Sequence, residues 1–203
     1  MSPAPLSPAF TRLAWANLAA QSAEQISLAA VPIVAVLALG AGPGEIGALA
    51  TAQTLPFLLL SIPAGLLADR WSRRRLMVLA EGVRALALIG LLLATAAGQL
   101  SFMLLALLGF IGAAGTVGFS VAAPALVPAL VPVGALAAAN GRLELARSAA
   151  YAAGPALAGA LVAWTGAASA FVLAAMLSAS ALALLLRLPE PPAGAPRQRK
   201  VWD

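Results

Sequence analysis

Apolar positions in this chain fall in long unbroken runs, at about residues 13–39, 46–68, 76–97, 100–126, 141–164 and 170–188. A helix crosses a bilayer with ~20 mostly apolar residues, whereas strands of a membrane barrel are ~9–11 residues long and alternate in polarity. Alternation is absent here, so the pattern predicts an all-α integral membrane protein of six transmembrane helices. Only Gly98 and Gln99 separate the third and fourth runs, which makes them an antiparallel hairpin. Gly and Pro punctuate the turn at 40–45. Residues 127–140 read as a looser segment before the fifth run. The domain reading is a cytoplasmic N-terminus at 1–12, a bundle at 13–188, and a Pro-rich disordered tail or linker start at 189–203. The first run is far longer than the ~7–15 residues of a signal h-region, so a cleavable signal is not expected.

Composition sharpens this. The chain is 62% hydrophobic and 9% charged, with a mean hydropathy of +0.97; soluble chains have about 45–50% apolar and about 25% charged residues. Cys and His are absent, which excludes disulfides, Cys/His metal sites and His-based acid–base chemistry. The single Lys, Lys200, lies in the tail, so a Ser–Lys dyad is excluded too. The expectation is a protein that is not an enzyme and takes no cofactor or metal.

The net charge of +5 does not point to nucleic acid, because the basic residues trace one membrane face. With the N-terminus in the cytoplasm, Arg12, Arg70, Arg73, Arg74, Arg75, Arg142, Arg187, Arg197, Arg199 and Lys200 all fall on the inner side. The outer connections, 40–45, 98–99 and 165–169, hold no Lys or Arg. Basic residues near spans set orientation, so both termini are expected in the cytoplasm of a plasma (inner) membrane protein.

Charges inside spans need a reason, since each costs ~2.5–3.5 kcal/mol at the bilayer centre. Asn17, Gln21 and Glu24 recur at i, i+4 and i+7 and share a helix face, widened by Gln25 and Ser27. Such a stripe suits a water-accessible cavity, with Glu24 as a proton carrier or as the partner of a cationic substrate. Glu81 and Arg84 are three apart on the third run, and Glu144 and Arg147 repeat that spacing on the fifth. Pairs at this spacing touch, so both are expected as internal ion pairs locking the cytoplasmic ends of the bundle, the alternative being that they rearrange as the protein switches state. Gly109, Gly112, Gly115 and Gly118 on the fourth run read as close helix packing.

The stretch GLLADRWSRRR, Gly65 to Arg75, has a Gly that thins the end of the second helix, then an Asp and four Arg. It resembles the cytoplasmic loop of the major facilitator superfamily, G-x3-D-R-x-G-R-R. Gly65, Asp69, Arg70, Arg73 and Arg74 match, while Ser72 replaces the second Gly. The resemblance implies a gating loop whose Asp and Arg latch the outward-open state. Residues 69–84, with their acid–x2–Arg pair, and residues 124–140 resemble bacterial multidrug and siderophore exporters. Glu24 falls where that subgroup usually has Asp. Gly154, Pro155 and Gly159 are similar to the helix-five export motif G-P-x-x-G-G, with Ala158 in place of one Gly.

The family pattern is twelve helices in two halves of six, each a 3+3 inverted repeat. Six spans therefore look like an N-terminal half of that fold. What the resemblance implies is proton-coupled efflux of small amphipathic molecules. The membrane lipid, a small-molecule substrate, and either a second copy or a separate C-terminal half are the expected partners. A second possibility is a non-transporting module that needs that separate half. A more remote one is the permease subunit of an ATP-driven transporter, for which no connection reads as a docking helix.

Overall fold

The computed structural model describes residues 7–189. Residues 190–203, the bulk of the segment expected as a disordered tail, lie outside the described residues with Arg197, Arg199 and Lys200. Residues 1–6 lie outside them too. The described chain forms α1 (Pro8–Leu39), α2 (Pro43–Arg70), α3 (Arg73–Ala96), α4 (Phe102–Leu126), α5 (Leu136–Thr165) and α6 (Ala167–Leu186). Two 3-10 turns, Val127–Ala129 and Val133–Ala135, precede α5, and no strand occurs among the described residues. Among the described residues five helices are long and apolar enough to cross a membrane; α5, with Arg142, Glu144 and Arg147 in its first half, is the exception.

All helices but α4 start ahead of their apolar segments, and for α1 and α3 a side-chain cap sets the start. Ser7 starts α1, its Oγ accepting from the Phe10 N–H at 3.2 Å and donating to the Leu130 carbonyl at 3.0 Å. Residues 8–12, expected as part of the terminus, are therefore helical. Gly40, at φ 66°, closes the same helix in the left-handed conformation. Ser72 caps α3 by accepting from the Arg75 N–H at 3.3 Å. The run expected as a loop is thus two helix ends joined by Trp71 and Ser72, with Asp69 and Arg70 in the last turn of α2. The looser segment is shorter than expected as well, since α5 begins at Leu136.

α1 is the central helix, packed mainly on α5 and α6, while α3 packs on α4 and α6. α2 rests on α4 rather than on α3, its neighbour in sequence. The apolar core divides in two. One cluster, with Phe10, Met77, Phe119 and Leu185, fills the end near the Arg-rich turn. The other, with Ile26, Leu49, Leu88, Leu105 and Phe171, fills the opposite end. The buried charges lie between them.

Glycines of α4 bring it close to α3 and α2. A Cβ on Gly115 would lie 2.5 Å from the Ala80 carbonyl oxygen and 3.2 Å from Arg84 Cβ. On Gly118 it would meet Ala80 Cβ at 3.1 Å, and on Gly109 the Gln53 Cγ at 3.3 Å. Gly115→Ala is therefore expected to push α4 off α3, at the ~1–3 kcal/mol typical of overpacking. Thermal unfolding in detergent reads this out, and an unchanged midpoint would contradict the close packing.

Candidate functional site

Arg84 is the hub of the buried polar cluster. Its Nε donates to Glu81 Oε1 at 3.3 Å and its Nη2 pairs with Glu81 Oε2, so Glu81 occupies one edge of the guanidinium. The other edge faces α4 and α1. There Nη1 donates to Thr116 Oγ1 at 3.2 Å and lies 3.9 Å from Glu24 Oε2. The guanidinium also sits over the Phe119 ring, 5.6 Å from its centroid. From α6, the Ser178 hydroxyl donates to Glu81 Oε1. Four helices, α1, α3, α4 and α6, are tied together by this group.

The two carboxylates are held differently. Glu81 is fully buried, with two donor residues on it. Glu24 is 8% exposed, beyond hydrogen-bond reach of Arg84, and on the wall of a cavity of about 670 Å3. Asn17, Gln21, Thr116, Ser120, Glu144, Arg147 and Tyr151 line the same cavity. On its other side Glu24 also borders a void of about 30 Å3 with Ser27, Gln53 and Arg84, enough for a single water. Two carboxylates thus face one buried guanidinium, between a large cavity and a small one.

The expected polar stripe is only partly a cavity lining. Gln21 and Glu24 face the cavity. Asn17 borders it and also donates from Nδ2 to the Leu143 carbonyl at 3.2 Å, tying α1 to α5. Gln25 turns away and packs on α5, where a Cβ on Gly154 would collide with Gln25 Cβ. Its Nε2 is buried without a partner among the described residues. Gln25 is therefore a helix contact, not a cavity residue.

The second charge pair also differs from expectation. Arg147 lies 3.8 Å from Glu144, with side chains 51% and 66% exposed. It covers the Tyr151 ring at 5.4 Å. This pair lines the cavity and is exposed rather than buried between helices. In the helix-five motif, Gly154 and Ala158 face inward and Ala158 is fully buried, whereas a Cβ on Gly159 would meet open space. Pro155 lies in the helix between them, on its exposed side.

At the Arg-rich turn, Gly65, Asp69 and Arg73 border a third cavity of about 430 Å3 between α2 and α4. A Cβ on Gly65 would touch nothing among the described residues, so no close approach needs that Gly here. Arg74 reaches the end of α6, donating from Nε to Leu185 O at 3.2 Å and from Nη2 to Leu186 O at 2.6 Å. Arg12 adds a bond to Arg187 O at 3.3 Å. Cations on the last carbonyls of a helix are favoured by its dipole. Arg70 is exposed in the last turn of α2.

Thr116, Ser178, Phe119 and Tyr151 belong to this site and carry no local signal, since single hydroxyls and aromatics are ordinary in apolar helices. The Asn17–Gln21–Glu24 stripe and the Glu81–Arg84 spacing pointed here, and neither could name the helices that meet the pair.

Apolar helices surround a polar cavity and a buried charge cluster, an arrangement that suits a membrane transporter. Residues 13–202 match the family model of the Major Facilitator Superfamily. The chain belongs to that family of multi-pass transporters. No curated protein matches it significantly.

Proposed function

We propose that the chain is one six-helix bundle of a proton-coupled exporter of small amphipathic molecules, resembling the multidrug and siderophore exporters. In this reading α5 is the sixth span, both termini face the cytoplasm, and the membrane is the plasma membrane. The observation that carries the proposal is the unequal pairing at Arg84. Glu81 holds one edge of the guanidinium, while Glu24 stands 3.9 Å away on the cavity wall. A carboxylate that is near a cation but not bound to it can take up a proton or exchange Arg84 for a cationic ligand. Either event changes what holds α1 to α3. Gln21, Asn17, Glu144, Arg147 and Tyr151 supply the remaining polar wall, and Gly65, Asp69 and Arg73 supply the gating surface. Loss of proton-driven efflux on replacing Glu24 tests the coupling.

The exposed apolar face of α2, where Leu58 is 79% and Ile62 76% exposed, supports a second bundle across the cavity. Alternating access by rocking one bundle against another needs two of them. Light scattering in detergent, with the detergent mass subtracted, is expected to give two chains per particle. A monomer would instead favour the reading in which this chain alone does not transport and a separate C-terminal half supplies the second wall.

A further inference from the structure

The small void beside Glu24, about 30 Å3 between α1, α2, α3 and α4, has two kinds of wall. Glu24, Ser27, Gln53, Arg84 and Thr116 are polar, and the rest is apolar side chains and glycine. Gln53 is the least satisfied of the polar set. It is 6% exposed, and its amide makes no hydrogen bond among the described residues. Its side chain lies along Gly109 of α4, where a Cβ would meet Gln53 Cγ at 3.3 Å and Nε2 at 3.8 Å. The Ser27 hydroxyl has no hydrogen bond among the described residues either.

Two further observations concern the same space. Arg84 Nη1 and Glu24 Oε2 stand 3.9 Å apart, and a polar gap beyond about 3.5 Å is where a bridging water belongs. Cavities that stay dry are apolar, whereas a polar one of this size takes one water, which typically makes about three hydrogen bonds. A buried amide without a partner is costly, and a water relieves it. A metal cation would instead meet the Arg84 guanidinium in the wall as a like charge.

Taking Glu24 as the proton carrier of the reading above, we propose that this void holds one water bonded to Glu24, Gln53 and Ser27, and that Gln53 is a positioning residue for Glu24. The water donates to the carboxylate and accepts from the protonated acid, so it turns round whenever Glu24 gains or loses its proton. Gln53 and Ser27 can follow, because an amide and a hydroxyl each both donate and accept. A one-way group such as an ammonium could serve only one of the two states. α2, which packs mainly on α4, thereby senses the charge on α1 through a single water.

Infrared difference spectra of the chain in lipid, between high and low pH, test this. Arg84 and Glu81 face Glu24 from α3, and Glu144, Arg147 and Tyr151 of α5 share its cavity. α4 and α6 carry no ionisable side chain, and those of α2 lie at its two ends. Bands are therefore assigned to Glu24 by their loss in Glu24→Gln. The expected result is a Glu24 carboxyl band accompanied by a water O–H band that moves when the water is labelled with heavy oxygen. Gln53→Met keeps the length of the side chain and drops the amide. It is expected to abolish the water band and to raise the frequency of the Glu24 carbonyl stretch, which loses a hydrogen bond. Ser27→Ala removes one of three partners and is expected to shift the water band. A Glu24 carboxyl band without a heavy-oxygen-sensitive companion would overturn the water site and leave the coupling reading standing. So would a water band that either substitution leaves unchanged. No Glu24 carboxyl band at any pH would overturn the coupling reading, and this proposal with it.

Discussion

Replacing Arg84 with Met is expected to cost about 3 kcal/mol or more of stability, the largest effect of any single substitution considered. Removing one partner of a buried pair leaves the other charge uncompensated, which typically costs about 3–5 kcal/mol. Glu81 is fully buried and would keep only the Ser178 hydroxyl. Thr116 would lose its donor, and Glu24 its nearest cation. The double variant Glu81→Leu with Arg84→Met removes both charges, and should recover much of the loss, because replacing both partners of a buried pair is often close to neutral. Denaturant titration in mixed micelles measures both. If Arg84→Met cost less than about 1 kcal/mol, or the double variant cost the sum of the singles, the pair would not be what holds α3 in place.

Glu24→Gln is expected to have the opposite profile, with function lost and the fold kept. Glutamine keeps the shape and loses only a contact that is already 3.9 Å long, on a wall open to a cavity of about 670 Å3. The midpoint of unfolding should shift by less than that of Gly115→Ala. In vesicles carrying the chain with its second bundle, proton-driven efflux should fall to the level of protein-free vesicles, because glutamine cannot carry the proton. Efflux that persisted and still followed the proton gradient would remove Glu24 from the coupling step and turn attention to Glu144.

The apolar runs made the helices legible, and the ends of α2, α3 and α5 were not. Hydropathy drops at the charged residues, so Asp69, Arg70 and Arg73 read as loop. The backbone continues through them, because Ser72 caps α3 and a two-residue turn needs no longer loop. Within the site, Gln21 and Glu24 were legible from spacing alone. Gln25, one residue on, turns about 100° further round the helix and meets Gly154 instead. The Glu81–Arg84 contact is local and could be read from its spacing, whereas Thr116 and Ser178 join it only through tertiary packing of α4 and α6. Glu144 and Arg147 have the same spacing as that pair and opposite burial. Spacing says that two side chains touch, not what covers them.

The position of α1 at the centre sets the order in which the molecule can be built. Its main packing partners, α5 and α6, lie four and five helices further along the chain and leave the ribosome after it. Asn17 waits for Leu143, Glu24 for Arg84, and Gln25 for its seat against Gly154. Until α5 is made, the polar face of α1 is in the membrane without part of its partners. Packing around α1 therefore closes only once α5 and α6 are inserted, and that interval is when insertion machinery has the most to shield.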